Sequence, residues 1–308
     1  MYSENNQMKA KVLNFGSLNI DHVYGVREFV RAGETISSVS YSRNIGGKGL
    51  NQSIALARAG LSVHHAGKIG SDGLFLVDFL KRNGVNTEQI AVDEGESGHA
   101  VIQVNEKGQN CIILNGGANR RIGQREIDET LSHFGKGDFL VLQNEINRID
   151  YLIDAAYKRG MKIAFNVAPV TDDIIKYDFS KVSILNVNET EGAALTGKTG
   201  VDEILLSLAK KYPECMILLT LGKQGCVCFK QGRIYRQSIY DAPVVDTTSA
   251  GDTFFGYFLS EYLKSESIEK ALDLGSRASA VCVSRAGASA SIPMLEELPK
   301  TSEEKQWK

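Results

Sequence analysis

Residues 139–166 read FLVLQNEINRIDYLIDAAYKRGMKIAFN. A short apolar run at Phe139 to Gln143, a helical stretch at Ile149 to Arg159 and a second apolar run at Lys162 to Asn166 form a strand–helix–strand unit. Two strands joined through a helix of this length lie parallel in one sheet, with the helix on a face. The rhythm extends both ways. Strands are expected at Lys11 to Phe15, Val63 to Lys68, Val182 to Val187 and Met216 to Thr220, with helices at Leu74 to Asn83 and Val201 to Lys211. The fold class is therefore α/β, a mostly parallel central sheet flanked by helices. Two segments break the rhythm. ETISSVSYS, residues 34–42, alternates with the period of a half-exposed strand, and so do His99 to Val104 and Asn110 to Leu114 around the turn Asn105 to Gly108. We expect these segments, from about residues 23–43 and 89–116, to form a small β-sheet lid on a single domain spanning residues 1–308.

At 308 residues, 43% hydrophobic and 23% charged, the chain has enough apolar material for a large core. Its formal net charge of -2 supplies no basic field for nucleic acid or anionic membranes, so neither is expected as a partner. Five cysteines form an odd set, and Cys226 and Cys228, separated by one residue, lack zinc-site spacing; buried thiols are expected there. The first ten residues lack the apolar core of a signal peptide, and no apolar run reaches membrane-spanning length, so a cytoplasmic setting is expected. The charged stretch from Glu296 to Lys308 is expected to fray.

Chemistry concentrates in DTTSAGDTFFG, residues 246–256, where a turn of small residues enters an apolar helix. Helix N-termini offer unpaired N–H donors and the positive end of the helix dipole, which suits a phosphate. Asp252 beside such a site reads either as a helix cap or as a general base. NIGGKGLNQ, residues 44–52, sets three glycines around Lys48 at a helix entry, where Asn51 faces the same space. Asn19 and Asp21 follow the first strand, at the sheet edge where open α/β folds hold ligands, and read as hydroxyl partners or as an Asx turn. Glu145 and Asn166 also sit at strand ends. GAALTGKT, residues 192–199, matches the P-loop pattern. Yet Glu189 and Glu191 would repel phosphates there, and the alanines favour a helix with Gly197 at its C-cap, so the match is read as accidental. The turn Leu221 to Gly225 suits a nucleotide base or a plain hairpin. The small-residue segment Ser284 to Pro293 suits a cation held by carbonyls or an ordinary surface loop.

Taken together, these stretches resemble the ribokinase-like (phosphofructokinase B) family of ATP-dependent sugar and nucleoside kinases, from about Val12 to Pro293. The specific signatures are Gly46 to Gln52 and Asp246 to Thr253. The resemblance implies phosphoryl transfer from ATP to the primary hydroxyl of a pentose, with D-ribose at O5 as first choice. A family kinase for 2-deoxyribose, a nucleoside or another sugar is the alternative, and a non-catalytic sugar-binding regulator is a rival of another class. It assigns Asn19, Asp21, Gly47, Lys48, Asn51 and Glu145 to the sugar, Asp252 to the base, and the amides of Ala250 and Gly251 to the transferring group. Asn188 and Glu191 would organise Mg2+ and phosphate through water, and Thr220, Gly222 and Gly225 would form the ATP-side turn. Asp246, Thr248, Cys282, Arg285, Gly287 and Ser291 would form the loop pair that holds K+, several through carbonyls. The lid implies a homodimer. Two departures stand out: Gly275 replaces a polar residue expected near the adenine, and Asn144 replaces an apolar residue beside the sugar pocket.

Overall fold

Strand β1 (Val12–Phe15) lies inside the large sheet, with every residue buried. The chain then leaves that sheet for β2 (Asn19–Gly25) and β3 (Ser40–Gly46) before entering helix α1 (Lys48–Arg58). β4 (Val63–Gly70), α2 (Leu74–Arg82) and β5 (Asn86–Asp93) follow, then β6 (Gly98–Val104), β7 (Asn110–Asn115) and α3 (Gln124–Leu131). The regular half comprises β8 (Phe139–Gln143), α4 (Ile149–Lys158), β9 (Lys162–Asn166), β10 (Ile184–Asn188), α5 (Glu189–Thr196), α6 (Val201–Lys211) and β11 (Met216–Thr220). The chain closes with the hairpin β12 (Cys226–Lys230) and β13 (Arg233–Gln237) and the helices α7 (Ala250–Ser265) and α8 (Ile268–Val283). This computed structural model describes residues 10–299; most of the first ten residues and the last part of the charged C-terminal stretch lie outside them.

Among the described residues, the large sheet has the order β13-β12-β11-β10-β9-β8-β1-β4-β5. Its strands are parallel from β5 across to β11, and β12 and β13 run antiparallel at one edge. From β1 the chain builds outward in both directions, so the carboxyl ends of the neighbouring strands open a crevice there. Two apolar layers cover the sheet. Leu50, Ile54, Phe255, Phe258 and Leu272 pack α1, α7 and α8 on one face. Ile127, Leu152, Ile153, Leu205 and Leu208 pack α3, α4 and α6 on the other. Strands buried on both faces are why these segments read as near-continuous apolar runs.

The second sheet has the order β3-β2-β6-β7. Its boundaries differ from the expected ones. Residues 34–38 alternate but form no strand; pairing of β2 with β3 stops at Gly25 opposite Ser40, which leaves that segment no partner. Residues 86–93 pair with β4 as the edge of the large sheet, so the small sheet resumes only at Gly98. Conversely, Asn19 and Asp21 sit in its strand β2 rather than in a turn. Asp21, Asn44, Ala100 and Leu114 stand in one register row, as do Val23, Ser42, Ile102 and Ile112, and these rows share a face.

Candidate active site

Helix α1 starts where β1 ends, and two glycines make that approach possible. Gly47, with φ 96°, turns the chain into the helix, and a Cβ on Gly49 would lie 2.3 Å from the Ser17 nitrogen. The Lys48 amide donates to Glu145 Oε2 at 2.9 Å, and the Ser17 hydroxyl donates to the same oxygen. The ends of β1, β8 and α1 are thereby tied together, and Glu145 lies beside Lys48.

Asp21 lies against Gly46, where a Cβ would come 2.1 Å from its carboxylate. Burial, reinforced by Glu145, pushes the Asp21 carboxyl up to about 7. Asn19 is held by a residue the motifs did not suggest. Asn119 donates from Nδ2 to Asn19 Oδ1 at 2.8 Å and accepts the Leu18 amide at 3.1 Å. With its oxygen engaged, Asn19 retains an NH2 group for other partners. Asn51 is 5% exposed, and its Oδ1 has no partner within the protein, an acceptor left over at the first turn of α1.

Asp252 is buried and accepts from Gln52 Nε2 at 2.9 Å. It does not cap α7. The N-cap position belongs to Ser249, at φ 61°, and no side chain satisfies the first-turn amides. Ala250 N makes a long 3.3 Å bond to Thr247 O, and a Cβ added to Gly251 would meet nothing within 4 Å. The start of α7 thus presents donors beside a carboxylate whose position is set by α1.

Electrostatics link the groups further. Asp252 above all, then Glu145 and Glu191, push the Lys48 ammonium above its ordinary pKa, overcoming the opposing effect of burial. Glu191, 7% exposed, is pushed up mainly by burial, against the Asn188 amide and Lys48. A reciprocal pair of bonds places it: Asn188 N donates to Glu191 Oε2 at 2.9 Å, and Glu191 N donates to Asn188 Oδ1 at 2.8 Å. The helix that follows is α5, with Gly197 at φ 68° as its left-handed C-cap. GAALTGKT therefore forms a helix and its terminus, with the Lys198 amide bonded to Thr196 Oγ1, and carries no phosphate-wrapping loop.

On the other side of the α7 N-terminus lies a cavity of about 380 Å3, whose wall includes Thr220, Gly222, Gly225, Ala250 and Gly251. Phe254, Ile239, Val244 and Val283 give it apolar surface. Gly275 is not its polar gap. A Cβ there would lie 2.8 Å from the Phe254 carbonyl oxygen, so Gly275 serves the α7–α8 contact, and Ser276 and Ser279 are the polar α8 residues that line the cavity. Asn144 likewise has another duty. It donates to Pro169 O at 2.6 Å and Thr171 Oγ1 at 3.0 Å and accepts from Tyr177 at 2.8 Å, which commits its whole amide to the segment after β9.

Two loops meet below the α7 N-terminus. Asp246 accepts from Thr248 N at 2.9 Å, Thr248 Oγ1 at 2.7 Å and Gly287 N at 3.0 Å. Burial alone would raise its pKa, but these bonds hold it below the usual carboxylate value. Cys282 Sγ lies 3.1 Å from Ser291 Oγ, and Ser291 donates to Ala288 O at 2.7 Å. The Arg285 side chain turns away to Glu297 at 2.9 Å, so only its backbone is left to the loop pair.

The pfkB family carbohydrate kinase model matches residues 9–295. The chain is 34% identical to the ribokinase of Staphylococcus aureus over 309 residues, covering 94% of this chain and 99% of the relative. It is 32% identical to that of Haemophilus influenzae over 302 residues, covering 94% and 97%. Among solved structures, it resembles Arabidopsis thaliana ribokinase complexed with ribose and ATP, with TM-score 0.82, 30% identity and coverage of 94% and 96%. Among the described residues, no helix is long and apolar enough to cross a membrane.

Proposed function

The chain belongs to the pfkB family of carbohydrate kinases, and we propose that it phosphorylates D-ribose at the O5 hydroxyl with ATP. The observation that carries this reading is the convergence of Asp21, Lys48, Asp252 and the uncapped start of α7 on one crevice. Asn19, Asp21, Lys48, Asn51 and Glu145, with the Gly47 backbone, hold the sugar. Asp21 and the orphan Asn51 oxygen accept from its hydroxyls, and the Asn19 NH2 donates. The apolar side chains on the Asp21 face of the small sheet, Ala100, Ile102 and Leu114 among them, cover the sugar and exclude water, which limits idle ATP hydrolysis.

The base of ATP occupies the cavity between β12 and α8, with Thr220, Gly222 and Gly225 forming the turn beside it. The γ-phosphate lies at the α7 amides, where the Ala250 N–H is held only by a long bond to Thr247 O and the lack of a side chain at Gly251 lets the phosphate approach. As the acceptor oxygen bonds to phosphorus and the bond to the ADP oxygen breaks, the hydroxyl proton passes to Asp252 on the oxygen that Gln52 does not hold. Removing one amide donor from such a site commonly costs about 2.7–4 kcal/mol.

Among the described residues, no cluster of three acidic, histidine or cysteine donors is poised for a metal. That fits Mg2+, which binds through one or two carboxylates, several waters and substrate phosphates. Asn188 and Glu191 would hold its water shell, and its charge would neutralise the phosphates. The loop pair of Asp246, Thr248, Cys282, Arg285, Gly287 and Ser291 fits K+ held mostly by carbonyls, with Asp246 stapling the two loops. K+ would stiffen the turn that leads into the phosphate amides.

The deciding experiment is turnover across ribose, 2-deoxyribose, other sugars and nucleosides with ATP and Mg2+, with and without K+. Ribose should give the highest kcat/KM and K+ should raise it; a nucleoside used far better than ribose overturns the assignment. The opposite face of the small sheet presents Tyr41 and Ile113 to solvent, and we propose that it pairs with the same sheet of a second copy. Sedimentation at micromolar concentration should give twice the 33.6 kDa chain mass, and a monomer would refute the pairing.

A further inference from the structure

Beneath α1, a row of amide side chains, of which only Gln52 belongs to a signature, connects the core of the sheet to Asp252. Gln52 Nε2 donates to Asp252 Oδ1 at 2.9 Å. Gln52 Oε1 accepts from Gln143 Nε2 at 2.7 Å, and that same nitrogen donates to Asn14 Oδ1 at 2.9 Å. Asn14 Nδ2 donates to Ser53 Oγ at 2.8 Å and to the Gly49 carbonyl at 2.6 Å. Ser53 Oγ lies 2.7 Å from His65 Nδ1. Gln52, Asn14, Ser53 and His65 are 0% exposed and Gln143 is 1% exposed, so water is not available to replace these partners.

The three amides have one possible polarity, set by the Asp252 carboxylate at one end and the Gly49 carbonyl at the other. Both protons of the Gln143 amide are committed, and so are both of the Asn14 amide. Ser53 accepts from Asn14, and the proton between its hydroxyl and His65 Nδ1 can sit on either atom, according to the tautomer of the ring. Burial keeps the ring neutral, holding His65 down at about 3. Read toward the active site, each amide is oriented by the one before it, and the last presents an N–H to Asp252. A flipped Gln52 would instead set its oxygen against the carboxylate.

We propose that this buried amide chain, through Gln52, is the positioning device for Asp252: it fixes the carboxylate rotamer and directs the free oxygen at the acceptor hydroxyl. The role rests on Asp252 being the base, and it concerns the orientation of that base, not sugar or nucleotide affinity. Misplacing a reacting group by about 1 Å can cost on the order of 10²-fold. The other titratable groups around Asp252 are Lys48 from α1, Glu191 from α5 and Cys282 from α8, and none of them makes this hydrogen bond.

The test compares Gln52→Met, Gln52→Glu and Asp252→Asn. Steady-state kinetics would be measured over a pH series, with calorimetric titration of ribose and of a non-hydrolysable ATP analogue. Gln52→Met keeps the volume and removes the donor; kcat should fall about 10²-fold while both affinities and both KM values hold. Gln52→Glu places a second carboxyl against Asp252, so the acidic limb of the kcat profile should move up by about one pH unit. Wild-type kcat in Gln52→Met with an unshifted profile in Gln52→Glu overturns the proposal. Loss of sugar and nucleotide binding in both variants also overturns it, because Gln52 would then be a packing residue. If Asp252→Asn retains turnover, it is the base assignment that fails, and that outcome is separable from the other two.

Discussion

Asp252→Asn should lower kcat by about 10²–10⁴-fold, the range supplied by a positioned general base, while leaving the crevice assembled. Asparagine keeps an oxygen to accept from Gln52 Nε2, so the hydrogen bond that now sits at 2.9 Å survives the change. What disappears is a proton acceptor and one negative charge. The local charge balance gives the second half of the prediction. Lys48 faces Asp252, Glu145 and Glu191, so one ammonium stands among three carboxyl groups before any triphosphate arrives. Removing one of those charges from beside the α7 amides relieves repulsion against the γ-phosphate. Affinity for ATP should therefore hold or tighten even as turnover collapses. Single-turnover kinetics with ribose, combined with calorimetry for ATP, separates the two effects. Near-wild-type turnover would remove Asp252 from the chemistry, and a parallel loss of ATP affinity would mean that the variant had disturbed the helix start.

Much of this arrangement is local and therefore legible in the chain. The glycines around Lys48, the small-residue turn before Asp252 and the Asn188–Glu191 pair each occupy a few consecutive residues, and each appears where the motif places it. The parts that were not legible depend on contacts distant in sequence. Gln52 closes the Gly46 to Gln52 signature, but nothing in that stretch points to Asp252, 200 positions away, and Gln143, which meets Asn14 across 129 positions, resembles any other polar residue. Asn119 reaches Asn19 from a short helical turn outside every motif. The small sheet was misdrawn for a related reason. Residues 34–38 have strand periodicity but no neighbour to pair with, whereas residues 86–93, with a less regular pattern, gain one in β4. Periodicity reports which faces a segment could bury, and the ladder requires a partner that the segment itself does not reveal.

Asp21→Asn should act in opposite directions on sugar binding and on stability. The Asp21 carboxyl, raised to about 7 by burial and by Glu145, is near 3.8 in the unfolded chain. Between those values the folded protein holds a proton that the unfolded chain lacks, so stability falls as pH rises through that window. Above pH 7 the folded state carries the cost of a partly buried charge beside Glu145. Asparagine carries none of it, so the variant should melt higher than the parent at pH 8, by roughly 2–4 °C for each kcal/mol relieved. The difference should shrink as pH falls toward 4. Ribose binding should move the other way: the charged acceptor is lost, and hydrogen bonds to charged groups are worth about 1.5–3 kcal/mol each, so affinity should drop about 10- to 10²-fold. The parent should also bind ribose more weakly below pH 7, where Asp21 gains its proton, and the variant should lose that dependence. Thermal melts at pH 5 and pH 8, with ribose titrations at the same values, measure all three effects. A variant that melts lower than the parent at pH 8 while binding ribose normally would contradict both the buried charge and its place at the sugar. The combined pattern is what a ligand carboxylate partly withdrawn from water produces: the charge weakens the free protein, and the sugar hydroxyls satisfy it on binding.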